Sequence, residues 1–471
     1  MSDWKERAEA LSAHLRRELG RHLAGRRFVL FGGPVVGIAV MGAQLRSLGG
    51  EPFLLGANLG AGPVPDPSDM PWCHLGTRGR SVMDEFRRAE ARYPNPPARV
   101  QRAVDRFDPE RRARSAAAFT MGHVPGAAGR RRFGARPKRW LALEDKTRIE
   151  RLWRDLDIPH APSSVVPAEP GALRHAAERL DRGLGTVWAA DAKRGVHGGA
   201  EGTYWVGDRD EIARAARRLS RDHDRVRVMP FLPGTPCSIH GIVLPRHTVV
   251  LRPVEMVVLR VRGARELRYS GVSTFWDPPD RDRQIMRRTV RRIGEALRDR
   301  VGFRGPFTID GVLGPDGFQP TELNARQGGA LATVTAGLPS LPITWLCLAA
   351  TAGLDLDWQP RRMERVLLEV ADRRRAGRAM ARTGHPTEET STHALASGRR
   401  GPRRARNREE TVANLVVGPG GAGTFVGWMP RGNMFPLGES LARPAAEALG
   451  WCDRVLDTGI GPLEPVPGAS P

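Results

Sequence analysis

The stretch Phe307-Thr-Ile-Asp310-Gly-Val-Leu-Gly314-Pro-Asp-Gly317-Phe318-Gln-Pro-Thr-Glu322-Leu-Asn324-Ala-Arg326 decides how this chain is read. Two runs of strand-forming residues flank Gly-Pro-Asp-Gly, a composition that marks a turn. Side chains alternate across a strand, so Glu322, Asn324 and Arg326 are expected on one face, with Leu323 and Ala325 on the other. A three-residue loop (Pro315, Asp316, Gly317), with Gly317 supplying a left-handed residue, would pair Gly314 with Phe318 and set Asp310 opposite Glu322. A two-residue loop would break that register.

Facing carboxylates about 5 Å apart in a sheet repel unless a positive charge lies between them. A hard divalent cation such as Mg2+ suits the site, since it takes oxygen ligands from one or two carboxylates plus substrate phosphates. The Asn324 amide adds another oxygen, and the Arg326 guanidinium can grip a phosphate or acyl phosphate in bidentate fashion. The alternative is a solvated surface hairpin, but apolar Ile309, Val312, Leu313 and Leu323 are interleaved with the polar set.

Of the 74 basic residues only Lys5, Lys138, Lys146 and Lys193 are lysine, so 70 are arginine. Where lysine persists against such a bias, its compact ammonium is expected to matter. Thr147-x-x-Glu150, directly after Lys146, reads as a capping box opening a helix to about Leu156. Lys193 lies in a loop with Gly195, His197, Gly198, Gly199 and Gly202 between two strand-like runs. Glycines there let backbone N–H groups approach phosphate oxygens, although a mobile hairpin tip has the same composition.

With these residues in order, the chain between about Arg139 and Leu341 resembles the ATP-grasp superfamily of carboxylate-amine ligases. The resemblance implies ATP and Mg2+ as cofactors, with Asp310, Glu322 and Asn324 as metal ligands. It makes Arg326 the residue that steadies the transferred phosphoryl group and Lys146 the first nucleotide-contacting lysine. It also makes Lys193, His197, Gly198 and Gly199 a phosphate-binding loop, and Met229, Phe231 and Leu232 the hinge that lines the adenine. The family's second phosphate-binding lysine precedes the glycine loop, where Val187-Trp-Ala-Ala190 offers alanine; Lys193 is the candidate replacement. Gly328 and Gly329, just past the metal residues, would hold a substrate carboxylate or oxyanion. Glu255, on an apolar strand, contacts either an amine substrate or Arg252. Ser273 lines an acceptor pocket or a plain sheet-edge loop. His240 reads as a base or phosphate donor, or as a structural histidine.

The flanks extend the likeness. Arg27-Phe-Val-Leu-Phe-Gly32-Gly33 and the strand ending at Leu55 resemble a pre-ATP-grasp module. Gly-Ala-Arg136-Pro-Lys-Arg-Trp140, Glu144-Asp-Lys146 and Asn414-Leu-Val-Val-Gly-Pro-Gly-Gly421 are similar to the pheganomycin-type peptide ligases of actinobacteria. Those enzymes join a nonproteinogenic amino acid's carboxylate to a peptide's amino group. The fold expected is therefore α/β (α+β): an ATP-grasp fold preceded by a small Rossmann-like domain and followed by a Gly-rich strand extension. The boundaries expected are 1–138 (helix plus pre-ATP-grasp unit), 139–360 (139–232 nucleotide lid, 233–360 central catalytic part), 361–408 (basic linker) and 409–471 (C-terminal domain).

A chain of 471 residues is long enough for two or three cores. Met1 to Ala24 reads as an amphipathic helix rather than a signal, and the apolar run around Leu341–Ala350 is too short for a bilayer. A cytoplasmic protein without membrane association is expected. Cys73, Cys237, Cys347 and Cys452 have neither zinc nor disulfide spacing. The net charge of +22 raises a nucleic-acid reading. Mixed charges along the helices and the absence of an aromatic–basic ladder argue against it. Basic excess in 111–139 and 361–408 would either steer an acidic peptide toward the active site or be flexible surface with no role. The partners implied are an amino-acid-like carboxylate and a peptide amine acceptor, with a homodimer as a candidate assembly. The competing reading is an ATP-binding but inactive, or RNA-associated, regulatory protein.

Overall fold

The computed structural model describes residues 3–469 apart from 194, 196, 197, 199, 400 and 433. Three sheets organise it. The first has four parallel strands in the order Trp72–His74, Glu51–Gly56, Arg27–Phe31, Arg114–Ala117. Apolar strands that pair in parallel need cover on both faces. Helix Val35–Ser47 supplies part of that cover through Val35, Ile38, Met41 and Leu45. The turn at Gly32 has φ 88°, and a Cβ there would overlap the Phe119 carbonyl, so packing of the chain on itself accounts for this glycine. The N-terminal helix, Asp3–Leu23, buries Leu11, Leu15, Leu19 and Leu23 in one cluster with Met363, Val366, Leu367 and Val370 from the far end of the chain.

The second sheet is antiparallel, in the order Ser164–Pro167, Arg225–Pro230, Thr186–Ala190, Thr203–Val206. Helices Pro170–Leu180 and Arg209–Asp222 cover one face, where Trp188, Ala190, Val226 and Val228 form the core with Leu173 and Leu219. Alternation leaves Val187, Ala189, Arg227 and Met229 on the opposite face.

The third sheet has twelve strands. Its path runs Gly317–Asn324, Gly305–Gly314, Thr235–Val243, Val254–Val261, Leu267–Ser273, Gly377–Thr383, Gly423–Pro430, Ala413–Gly420, Ser391–Ala396, Arg403–Arg404. The C-terminal strands thus continue the central sheet. Residues 361–408 correct the expected linker: they carry helix Pro360–Arg373 and strands Gly377–Thr383 and Ser391–Ala396. Met363, Val366, Leu367 and Val370 recur at helical spacing and are buried, and the arginines occupy the other side. The expected capping box is also replaced. Helix Ile149–Asp155 has no side-chain cap; Thr147 donates to Asp145 through N (2.9 Å) and Oγ1 (2.7 Å), and Glu150 accepts from Ser163. Among the described residues no helix is long and apolar enough to cross a membrane.

Candidate active site

Asp310 and Glu322 are directly paired across the hairpin. The route to that register differs from the expectation. Gly314 pairs with Gly317, leaving a two-residue turn of Pro315 and Asp316, and Gly317 has φ 83°. That register alone would misalign the acids by one residue. A bulge restores them: Gly311 pairs with Pro320 and Asp310 with Glu322, so Thr321 is the extra residue. Its hydroxyl donates to the Asp310 carbonyl at 3.3 Å.

The neighbouring strand adds a third layer, with Ser238 opposite Asp310 and His240 opposite Thr308. Ser238 donates to Asp310 Oδ1, and Asn324 Nδ2 donates to Oδ2 at 2.8 Å. Lys146 Nζ lies 3.2 Å from Glu322 Oε2 and 3.3 Å from Thr203 Oγ1, so it spans the central hairpin and the second sheet. Burial pushes the Asp310 carboxyl up to about 7, and the charge of Glu322 adds to the shift; Ser238, Lys146 and Asn324 pull the other way.

These residues fit a divalent cation. Among the described residues Asn324 Oδ1 is buried without a hydrogen-bond partner, beside two carboxylates of which one resists ionisation because it is buried and faces the charge of the other. Among the described residues no group of three His, Cys, Asp or Glu side chains forms a cluster. Two carboxylates and an amide oxygen are a set for a hard cation that takes its other ligands from substrate or water.

Arg326 is placed differently from its expected alternation, because the strand ends at Asn324. Its guanidinium pairs with Glu144 and lies 5.7 Å from the Phe119 ring centre. Glu144 also binds Arg136, whose other donors reach the carbonyls of Ala325 (3.1 Å), Thr120 (3.0 Å) and Met121 (2.7 Å). Burial, then repulsion from Arg136, pushes Arg326 down to about 9, which still leaves it a cation at neutral pH.

Gly328 and Gly329 lie against this layer. A Cβ on Gly328 would fall 2.5 Å from His240 Nε2 and closer still to Thr308 Oγ1. Among the described residues both His240 ring nitrogens and the Thr308 hydroxyl are buried without partners, and burial holds His240 down at about 4, hence neutral. The Gly329 carbonyl accepts from Arg378 Nη2 at 2.5 Å.

Glu255 and Ser273 require correction. Glu255 pairs with Cys237 and with Ser273, while Ser238 pairs with Val254, so both expected substrate residues lie on the sheet face opposite Asp310. Glu255 accepts from the Ser440 hydroxyl and from Leu441 N at 2.9 Å, fastening the start of helix Ala442–Leu456. Ser273 Oγ accepts from Phe275 N at 3.0 Å. Arg378 pairs with Val272 on the Asp310 face, and a register shift at Val257/Val258 sets Tyr269 opposite Val258 and so on that face too. Neither was expected.

Of the expected nucleotide residues, Met229 sits on the face of the second sheet opposite its helices, at 7% exposure. Phe231 is stacked on Trp205, with centroids 4.1 Å apart, and Leu232 follows it half-buried. Lys193 turns outward: Nζ meets Asp224 at 2.5 Å, with both side chains more than half exposed. Ala190 faces the helices, on the side of the sheet away from Met229. A Cβ on Gly198 would come 2.9 Å from Met121 Cε, so Gly198 itself lies against Met121. His197 and Gly199 lie outside the described residues.

No protein-family model matches the chain, and no curated protein matches it. Among solved structures, the biotin carboxylase domain of Hydrogenobacter thermophilus 2-oxoglutarate carboxylase is similar over 88% of this chain and 86% of its own, with TM-score 0.52 and 11% identity. The chain has the ATP-grasp fold. An L-amino acid ligase from Bacillus licheniformis matches over 94% of this chain and 99% of its own, with 13% identity and TM-score 0.49. Phosphoribosylamine–glycine ligase from Thermotoga maritima matches over 94% and 100%, with 13% identity and TM-score 0.49. These two weaker likenesses add nothing to the assignment, and at such identities the comparison speaks to the ATP-grasp fold alone.

Proposed function

We propose that this chain is an ATP-dependent ligase that activates an amino-acid-like carboxylate as an acyl phosphate and couples it to the amino group of a peptide or amino acid. The observation that carries this reading is the Asp310–Glu322–Asn324 group, with its raised carboxyl and unpartnered amide oxygen, reached by Lys146 from beside the second sheet. The fold supports it as well: the Hydrogenobacter domain was crystallised with MgADP and bicarbonate. The pheganomycin-type likeness suggests a nonproteinogenic acid and a role in natural-product biosynthesis.

Asp310, Glu322 and Asn324 would hold Mg2+, whose charge offsets that of the β- and γ-phosphates. Lys146 steadies the phosphate chain, and Met229, Phe231 and Leu232 border the base. Arg326 and the backbone at Gly328–Gly329 take the substrate carboxylate. One carboxylate oxygen bonds to the γ-phosphorus as the bond to the β,γ-bridging oxygen breaks, and ADP leaves. The amine then bonds to the acyl carbon, loses a proton, and phosphate departs. Tyr269 and Arg378, on the cleft face, border the acceptor side in place of Glu255 and Ser273.

The purified protein, Mg2+, ATP and a panel of amino acids and peptides test this. ADP and phosphate are expected only when acid and amine are both present. Release of AMP and pyrophosphate would overturn the proposal.

A further inference from the structure

Arg227 stands in the strand Arg225–Pro230 between Val226 and Val228, which are fully buried against the helices of the second sheet. It pairs with Ala189 and Val165 and therefore lies on the other face, with Met229. Its side chain is only 5% exposed. A guanidinium carries five N–H donors, yet among the described residues none of Arg227's makes a hydrogen bond, and Nε is buried without a partner. The nearest carboxylate oxygen, Glu150 Oε1, is 3.9 Å from Nε and already accepts from Ser163. Burial lowers the affinity of Arg227 for its proton, and the charges of Glu150 and then Glu322 restore part of it. Glu322 is the acid that Lys146 contacts, so both cations act on the same carboxylate of the metal pair.

A cation buried without hydrogen bonds destabilises a fold unless an anion meets it. Other arginines of the chain buried to this degree have such partners: Arg130 binds Asp105 and Asp108, and Arg252 binds Asp277 and Asp372. We propose that Arg227 is a phosphate-binding residue of the nucleotide cleft, its unmet donors taken up by the polyphosphate of the bound nucleotide. The inference rests on the nucleotide reading above. It assigns to Arg227 the second cationic contact that Lys193, paired with Asp224 at the surface, does not provide. The small Ala189 beside it on the same face leaves room for the long side chain.

The test uses the full chain and its variants Arg227→Met and Arg227→Lys, titrated calorimetrically with Mg-ATP, Mg-ADP and adenosine. Arg227→Met is expected to weaken both nucleotides by about tenfold or more, and adenosine by less than about twofold; Arg227→Lys loses less because the charge remains. The ligand-free melting temperature of Arg227→Met is expected to equal or exceed that of the parent, because an unmatched charge has been removed. A purely structural pairing with Glu150 predicts a lower melting temperature. Nucleotide affinities unchanged in both variants, or equal losses for all three ligands, would overturn the assignment while leaving the nucleotide reading intact. A parent protein that does not bind Mg-ATP would overturn both.

Discussion

Replacing Asp310 by asparagine should stabilise the ligand-free protein above neutrality while abolishing its response to magnesium and nucleotide. The folded carboxyl titrates near 7 rather than near 3.8, mainly through burial and then through the Glu322 charge. A raised folded value means the stability carried by the protonated form is complete below pH 4 and is lost as pH rises to about 7. The loss is on the order of a few kcal/mol. Asparagine removes that loss and keeps the shape. Ser238 can still donate to its oxygen, and the Asn324 amide can turn so that its unpartnered Oδ1 accepts from the new amide. For a chain of this length about 1 °C accompanies each kcal/mol, so the melting temperature should rise by a few degrees at pH 8 and change little at pH 4.5. Melting curves at both pH values, with and without Mg-ADP, measure this. The parent should gain more from Mg-ADP as pH rises through 7, because binding the metal requires the ionised acid. An Asp310→Asn protein that is less stable at pH 8, or that keeps the full Mg-ADP shift, would refute the reasoning.

Gly328→Ala should lower stability by about 1–3 kcal/mol and reduce kcat, since its Cβ would press on His240 and Thr308 at the sheet; denaturant melts and steady-state rates check both. Glu255→Ala should cost about 2–3 kcal/mol by leaving Ser440 and Leu441 N unpaired at the start of helix Ala442–Leu456, while KM for acid and amine stays within about twofold of the parent. A large KM change with unchanged stability would return Glu255 to the substrate side.

The facing acids were legible in the sequence, and their register was reached by a different path. Pro315-Asp316-Gly317 does not reveal whether Gly317 belongs to the turn or to the strand, and the bulge at Thr321 leaves no compositional mark. The two one-residue differences cancel. Arg326 was expected to continue the alternation, but a strand's parity ends with its last ladder pair, at Asn324. Glu255 and Ser273 sit on strands whose face depends on pairing with Thr235–Val243, which local pattern does not specify. Arg227 did leave a signal, since Val226 and Val228 alternate with it in a short β-like run. Helix Pro360–Arg373 left one too, in the spacing of Met363, Val366, Leu367 and Val370 beneath a dense arginine surface.

The most direct test of the metal site is a crystal of the full chain grown with Mn2+ and a nonhydrolysable ATP analogue, with anomalous scattering recorded at the manganese edge. The account predicts a manganese peak coordinated by Asp310, Glu322 and Asn324 and by the analogue's phosphates. Manganese and triphosphate bound together elsewhere, with Lys146 still on Glu322, would contradict it.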